Sequence, residues 1–344
     1  MKSVLCFIFI CLSAAPASGK IWHVDSNPGN SADFTTVQAA HDAASAGDTL
    51  YIMGSGVPYG PLVMTKRLNL FGPGFFLAEN PETQANISEA RIGLTDLNPG
   101  SEGSLITGLY FHYPTLLSAR SQIIINASNI VFKRNRVYGF TTGTASIQIS
   151  SETGNVFIIQ NYIHNDYTGN TCYAVQLQGQ NTNIEIRNNF IQIVDNSYGY
   201  SISCPATSSA TISNNLTHGY WSINYCVVTN NIMAGGFYSG ANNLITNNLC
   251  NSNQLPAGSN KQNTGMNTSL FVSTGGTDAY YQLLDGSAGD NYGTDGTDVG
   301  PFGGWDPYVI SGIPSLPTIY YLEAPASGSA TNGLPVRIKA KSNR

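Results

Sequence analysis

An asparagine recurs along this chain at a fixed point of a repeating apolar pattern. Apolar residues generally occupy the positions five and three before the asparagine and two after it. The recurring asparagines are Asn135, Asn161, Asn189, Asn215, Asn231 and Asn248. Repetition at a fixed phase indicates units that stack, because one such unit cannot bury its own apolar face. The chain is therefore expected to wind repeatedly around one long axis.

The intervals between these asparagines set the expected size of one turn. They are 26, 28 and 26 residues, followed by 16 and 17 residues. The longer intervals suit a full turn of a parallel β-solenoid, and the shorter ones predict tighter final turns. Alternation of inward apolar and outward residues on both sides of the asparagine predicts strands with one buried face.

The asparagine itself is interpreted as the corner between two strands. Asparagine and glycine tolerate the left-handed backbone region that a sharp bend requires. Gly108 is assigned to the same corner of the preceding repeat. Stacked asparagine side chains can also hydrogen bond to their neighbours in the next turn. The series therefore predicts a structural ladder along one edge of the molecule.

Two end segments complete the pattern. Phe34, Val37 and Ala40 have helical spacing, so residues 34–46 are predicted to form a helix that caps the stack. Near the other end, residues 293–304 form a Gly- and Asp-rich closing segment. With the asparagine repeat, these segments give a chain that resembles the right-handed parallel β-helix proteins of the pectate-lyase-like superfamily over residues 21–304. No specific enzyme family is matched.

The resemblance implies an all-β right-handed parallel β-helix with an N-terminal capping helix and a short C-terminal strand appendage. Residues 1–19 are predicted to be a secretory signal peptide, with Lys2 followed by an apolar run and small residues. Residues 20–304 are assigned to the β-helix and its cap, and residues 305–344 to the appendage. Residues 78–103 are predicted to be a loop that forms one wall of a binding groove.

Composition and charge limit the possible partners. The net charge is −5, and this gives no basic footprint for nucleic acid. After the signal segment no run of residues is long and apolar enough to span a membrane. The protein is expected to be secreted, periplasmic or at the cell surface, and to be a monomer. The remaining cysteines are interpreted as buried thiols, with one disulfide as the alternative; they are Cys172, Cys204, Cys226 and Cys250.

Candidate catalytic residues follow the asparagine corners. His164 and His218 stand three residues after their asparagines, so they are expected on one strand face, two coils apart. Asp166 and Asp195 follow in neighbouring coils. A proton-transfer role requires reach to a substrate and a suitable pKa. The resemblance implies enzymes that mainly cleave acidic polysaccharides, with calcium held by Asp and an Arg base, or with clustered Asp residues. Neither pattern is found in the middle coils.

A second candidate surface is rich in amides and aromatic rings. Hydrogen-bonding side chains beside flat apolar rings suit sugar binding. The candidate carbohydrate-binding residues are Gln148, Gln176, Tyr198, Tyr200 and Trp221.

No cofactor is expected, although Ca²⁺ is possible because hard cations prefer carboxylate and carbonyl oxygen. The candidate ligands are Asp290, Asp295 and Asp298.

These features favour an exported β-helix protein that binds a carbohydrate polymer along its solenoid face. One alternative is a polysaccharide lyase or glycoside hydrolase acting on acidic glycans. Another alternative is a structural or adhesive surface protein. Fold resemblance alone assigns no activity.

Overall fold

The computed structural model describes residues 19–168, 170–194, 199–329, 331 and 333–343. Strands from successive coils stack side by side into three parallel sheets that run along one axis. The prediction of an all-β right-handed parallel β-helix is confirmed. The predicted signal peptide lies outside the described residues, apart from Gly19.

A typical coil contributes one strand to each sheet in turn. The first sheet consists of Ile21–Val24, Thr49–Ile52, Asn69–Phe71, Leu105–Thr107, Ile130–Lys133, Gly154–Ile159, Thr182–Arg187, Ala210–Ser213, Val227–Thr229 and Leu244–Thr246. The second sheet consists of Arg91–Ile92, Tyr110–His112, Arg136–Gly139, Tyr162–Asn165, Phe190–Ile193, Leu216–His218, Ile232–Gly235 and Leu249–Cys250. The third sheet consists of Leu62–Met64, Thr95–Leu97, Ile123–Ile125, Ala145–Ile149, Cys172–Leu177, Gly199–Cys204, Tyr220–Ile223 and Tyr238–Ser239.

The predicted loop at residues 78–103 is only partly irregular. It contains the strands Arg91–Ile92 and Thr95–Leu97, which pair with later coils. The prediction missed these strands because each is two or three residues long, too short for an alternating pattern to be visible. Arg91 is thereby fixed on the second sheet.

The ladder asparagines lie buried at the corner between the first and second sheets. Asn189 Nδ2 donates to Asn215 Oδ1 at 2.9 Å and to the Ile158 carbonyl at 2.8 Å. Its own Oδ1 accepts from the Asn161 backbone N–H at 2.8 Å. The same contacts recur between the other ladder asparagines, and they continue to Asn260, which the repeat pattern did not identify.

The backbone at this corner differs from the interpretation drawn from the sequence. The left-handed residue is the one before the ladder asparagine, as at Asn188, where φ is 53°. Gly108, with φ of 72°, is the counterpart of Arg134 and not of the asparagine that follows it. Leu109 occupies the ladder position, since its N–H donates to Asn135 Oδ1 at 3.1 Å. The assignment of Gly108 to the asparagine position is therefore wrong by one residue.

Inward aliphatic side chains from all three sheets form a continuous core along the axis. At its N-terminal end the helix Val37–Ala43 covers the core with Val37 and Ala40. Thr36 caps this helix, and its hydroxyl accepts from the Ala39 N–H at 3.3 Å. The helix is shorter than predicted because Phe34 forms a parallel bridge with Val24 and because Ala44 already has an extended backbone.

Residues 266–308, called here the covering segment, pack on the outer face of the second sheet. They contribute Leu270, Phe271, Val299 and Tyr308 to a separate apolar cluster. The second sheet contributes outward-facing side chains, namely Tyr162, Phe190, Leu216, Ile232 and Leu249. The covering segment thus buries the outward side chains that directly follow the ladder asparagines. The outward side chains two residues further along each strand form a second row, or file, which it leaves open.

The appendage contains the antiparallel strands Thr318–Glu323 and Arg337–Lys341, and most of their side chains are exposed. A short 3₁₀ turn, Ile310–Gly312, precedes them. Cys172, Cys204, Cys226 and Cys250 are all buried. Among the described residues, no helix has the length and apolar character needed to cross a membrane.

Candidate functional site

One file of side chains on the outer face of the second sheet crosses five coils. Parallel register places equivalent residues of successive strands side by side, at roughly 5 Å intervals. Strand pairing aligns His112 with Tyr138, Tyr138 with His164, His164 with Gln192, and Gln192 with His218. The file therefore brings together residues that are about one coil apart in the sequence.

The centre of the file is a hydrogen-bonded group of three side chains. Asp166 accepts from the Tyr138 hydroxyl with one carboxyl oxygen and contacts His164 Nε2 with the other. On its far side, His164 Nδ1 lies 3.3 Å from Gln192 Oε1. In the tautomer with a proton on Nδ1, the imidazole donates to the Gln192 oxygen, and Nε2 faces the Asp166 carboxyl group, with which it can exchange a proton.

The protein environment brings the pKa values of His164 and Asp166 closer together. Burial lowers the pKa of the His164 imidazole, the hydrogen bond to Gln192 opposes this change, and the nearby Arg136 charge adds to it. Burial also raises the pKa of the Asp166 carboxyl. Both changes disfavour the charged forms. The pair is therefore suited to passing a proton between carboxyl and imidazole.

His112 lies at the open end of the file. Its ring stacks on Tyr110 with centroids 5.6 Å apart and meets the Tyr138 ring edge at 5.4 Å. Burial lowers the pKa of His112, and the charges of Arg91 and Arg136 lower it further. Among the described residues, its ring nitrogens have no hydrogen-bond partner. The lowered pKa favours the neutral imidazole of His112, which leaves a ring nitrogen available as a base.

Arg136 places a positive charge close to His112 and His164. Its guanidinium lies over the rings of Phe76 and Tyr110, at 4.2 and 4.3 Å from their centroids. Arg136 Nη1 also contacts Glu89 Oε1 at 3.2 Å. This fixed cation disfavours the imidazolium forms of His112 and His164.

A cleft of about 390 Å³, called here the arginine cleft, opens beside His112. Arg91 Nη2 donates to the Gly56 carbonyl at 2.8 Å, which fixes the guanidinium in place. The other walls are mostly apolar. The residues that define this cleft are Pro58, Pro61, Arg91, Leu94, His112 and Tyr113.

A second cleft of about 440 Å³, called here the tyrosine cleft, lies at the other side of the central group. The covering segment forms its outer wall, where the rings of Tyr280 and Tyr281 meet at 5.0 Å. Thr277 N–H donates to Glu79 Oε2 at 2.8 Å and joins the two walls. The residues that define this cleft are Glu79, Tyr162, Gln192, Thr277, Tyr280 and Tyr281.

The structure brings some of the predicted catalytic residues together and separates others. His164 and Asp166 are in direct contact. His218 is two strands from His164, roughly 10 Å along the sheet. Its Nδ1 lies 3.0 Å from the Ile193 carbonyl, so it does not join the central group. Asp195 lies outside the described residues.

The predicted carbohydrate-binding residues that the structure describes belong to the third sheet. Gln148 and Gln176 are neighbours on its outer face, and Tyr200 stacks on Tyr173 with centroids 5.2 Å apart. Trp221 is fully buried, and its indole N–H donates to Thr217 Oγ1 at 3.0 Å. The prediction that Trp221 contacts a carbohydrate is therefore wrong. Tyr198 lies outside the described residues.

The predicted calcium ligands do not form one cluster. Asp298 lies close enough to Asp290 for the neighbouring charge to help raise its pKa, after burial. Asp295 instead accepts from the Thr297 hydroxyl at 2.8 Å. Within the part of the chain that the structure describes, no three His, Cys, Asp or Glu side chains converge as metal ligands would.

The most important residues missed from the sequence are Arg91 and His112. His112 was missed because Gly108 was assigned to the asparagine position. With Leu109 in that position, His112 falls three residues later, in the same register as Tyr138 and His164. The signal was therefore present in the sequence, one residue out of phase.

Comparison with known proteins adds a similarity of fold. No protein-family profile matches the chain, and no curated protein matches it. A similar solved structure is that of pectate lyase Pel9A, at 13% sequence identity. The alignment covers 82% of this chain and 96% of that chain, with a TM-score of 0.37. The fold of this chain is established by its own three stacked parallel sheets.

Proposed function

We propose that the protein binds an acidic polysaccharide in a groove on the outer face of the second sheet, between the arginine cleft and the tyrosine cleft, and cleaves it by β-elimination, as a polysaccharide lyase does. The observation that carries this proposal is the position of His112. It is a neutral imidazole that lines a cleft beside Arg91 and touches the Tyr138, Asp166 and His164 group. A cation, a base and a proton donor therefore adjoin one another.

Each residue has a role in this reaction. Arg91 binds the carboxylate of a uronic acid in the cleft and stabilises the charge that develops on it. His112 removes the proton from the carbon next to that carboxylate. The electron pair forms a carbon–carbon double bond, and the bond to the leaving sugar oxygen breaks. Tyr138 donates a proton to that oxygen, and the Asp166 and His164 pair returns a proton to Tyr138.

The groups present suit elimination better than hydrolysis. Glycoside hydrolysis commonly uses two carboxyl groups that flank the scissile bond. The central group described here consists of imidazole, phenol and carboxyl side chains. Asp166 is held by both of its neighbours, so it is suited to relay a proton and not to attack a sugar.

Export from the cytoplasm is part of this proposal. A polysaccharide too large to enter a cell is met outside it, and residues 1–19 have the composition of a secretory signal.

Substitution of His112 tests the proposal. The native protein is expected to release products with unsaturated ends, which absorb ultraviolet light, from at least one uronate-containing polymer. His112→Ala is expected to lower kcat by about 100-fold or more, because general-base catalysis is lost. His23→Ala is the matched control, since His23 lies on the first strand and is mostly exposed.

Two results would contradict the proposal. Full turnover by His112→Ala would exclude His112 as the base. Binding of uronate polymers without cleavage by the native protein would favour a non-catalytic carbohydrate-binding protein, and the outer face of the third sheet with Gln148 and Gln176 would then become the surface to substitute.

A further inference from the structure

We propose that the substrate is a heteropolymer, with an acidic sugar in the arginine cleft and a neutral sugar in the tyrosine cleft. This inference rests on the function proposed above and adds the order of the sugars around the bond that is cleaved. It comes from the different charge and shape of the two clefts on either side of Tyr138 and His164.

The arginine cleft suits an anionic sugar. Arg91 is held in one orientation by its hydrogen bond to the Gly56 carbonyl, so its remaining N–H groups can meet a carboxylate. Pro61 and Leu94 supply apolar walls for the ring of the sugar. A cation in an apolar setting binds a carboxylate more strongly than one in open water.

The tyrosine cleft has the opposite character. Glu79 lines it, and the Thr277 N–H occupies one of its carboxyl oxygens, which leaves the other to accept from a sugar hydroxyl. Tyr280, which is 40% exposed, presents ring surface that can pack on the apolar face of a pyranose. A second uronate placed here would meet the Glu79 carboxylate without a compensating cation among the residues that define the cleft.

One file of side chains leads from the arginine cleft to the tyrosine cleft. His112 lines the arginine cleft, and Gln192 lines the tyrosine cleft and contacts His164. Between His112 and Gln192 the file advances three strands, roughly 14 Å. A polymer bound in both clefts must therefore pass over Tyr138 and His164, so the scissile bond lies on the path between the acidic sugar and the neutral one.

A panel of polymers tests the order of sugars. The probes are polygalacturonate and polymannuronate as uronate homopolymers, and hyaluronan and the alternating galacturonate–rhamnose backbone as heteropolymers. Cleavage of at least one heteropolymer is expected, with kcat/KM at least tenfold above that for either homopolymer. Turnover that depends on His112 but is equal or faster on a homopolymer would overturn this inference and leave the proposed function standing. No cleavage of any polymer would overturn both.

Charge reversal at Glu79 gives an independent test. Glu79→Lys is expected to raise kcat/KM on the homopolymers by about tenfold, because a cation would then replace the repelling carboxylate. Glu82→Lys is the matched control, since Glu82 is an exposed carboxylate on the same segment but is not among the cleft residues. Glu79→Gln keeps a hydrogen-bond acceptor for Thr277 and is used if the lysine variant does not fold. No gain on homopolymers with either folded Glu79 variant would overturn the inference.

Discussion

At the scale of single residues, the proposed chemistry depends on keeping two histidines uncharged. His112 and His164 are both partly buried, and Arg136 lies near both. Burial and a neighbouring cation act in the same direction on an imidazole, because each disfavours the protonated form. Asp166 shifts the other way, since burial disfavours its ionised form. These shifts favour the neutral forms of both histidines and of the Asp166 carboxyl group, which suits a base and a proton relay.

The pKa of His112 is a direct test at this scale. NMR titration of the free protein is expected to give a value below the ordinary 6.5 for this residue. His112 would then remain a base as the pH falls below 6.5. Arg91→Met removes one of the cations and should move the pKa of His112 upward. A native value at or above 6.5 would contradict the environment described for this ring.

At the scale of elements, the asparagine ladder holds the corner between the first and second sheets. Each asparagine of the ladder is buried, and its side chain hydrogen bonds to backbone groups that strand pairing leaves without a partner. The left-handed residue before each rung turns the chain, and the asparagine then connects one coil to the next. The side chains of the file from His112 to His218 each stand three residues after this corner. The ladder therefore also sets the spacing of these side chains along the sheet.

Removal of one rung tests this role. Asn189→Ala leaves the Asn161 N–H and the Ile158 carbonyl buried without their partner. Each lost partner costs about 1–3 kcal/mol, so the free energy of unfolding should fall by about 2 kcal/mol or more. Urea unfolding measures this change. Asn253→Ala, an exposed position, serves as the control and should be nearly neutral; an equal effect in both variants would argue against the ladder.

At the scale of the whole molecule, one continuous core runs along the axis, and the segments around it have different roles. The helix Val37–Ala43 closes one end, and the covering segment shields the outward apolar file of the second sheet. The antiparallel strands of the appendage, Thr318–Glu323 and Arg337–Lys341, lie mostly outside this body. An isolated pair of strands is marginally stable, so it adds little to the stability of the β-helix.

Truncation after Pro317 tests whether the strands of the appendage contribute to the stability of the β-helix. The Arg134 contacts to Ile313 and Ser315 remain, and the bond from Ala85 N–H to the Ile319 carbonyl is lost. The melting temperature should fall by no more than about 3 °C, which corresponds to about 1 kcal/mol. Thermal unfolding followed by circular dichroism measures it, and activity on the best polymer should be unchanged. Loss of the cooperative transition would show that the appendage is part of the folding unit.

Much of the fold could be predicted from the sequence because its determinants are local and repeated. Alternation along a strand fixes which side chains face inward, and the recurrence of Asn161 and Asn189 fixes the coil. The structure adds that the outward Phe190 and Leu216 are covered by a later segment of the chain. The coarse position of His164 and Asp166 followed from the same register.

The candidate site was decided by the tertiary structure. Arg91 lies on a strand of two residues, too short to give a periodic signal, and stacking alone brings it beside His112. Tyr280 reaches the groove only because the covering segment folds back across coils formed much earlier in the chain. A repeat specifies its own stacking, since each coil meets a copy of itself. It does not specify which face a distant, non-repeating segment covers, and that choice determines where a ligand can bind.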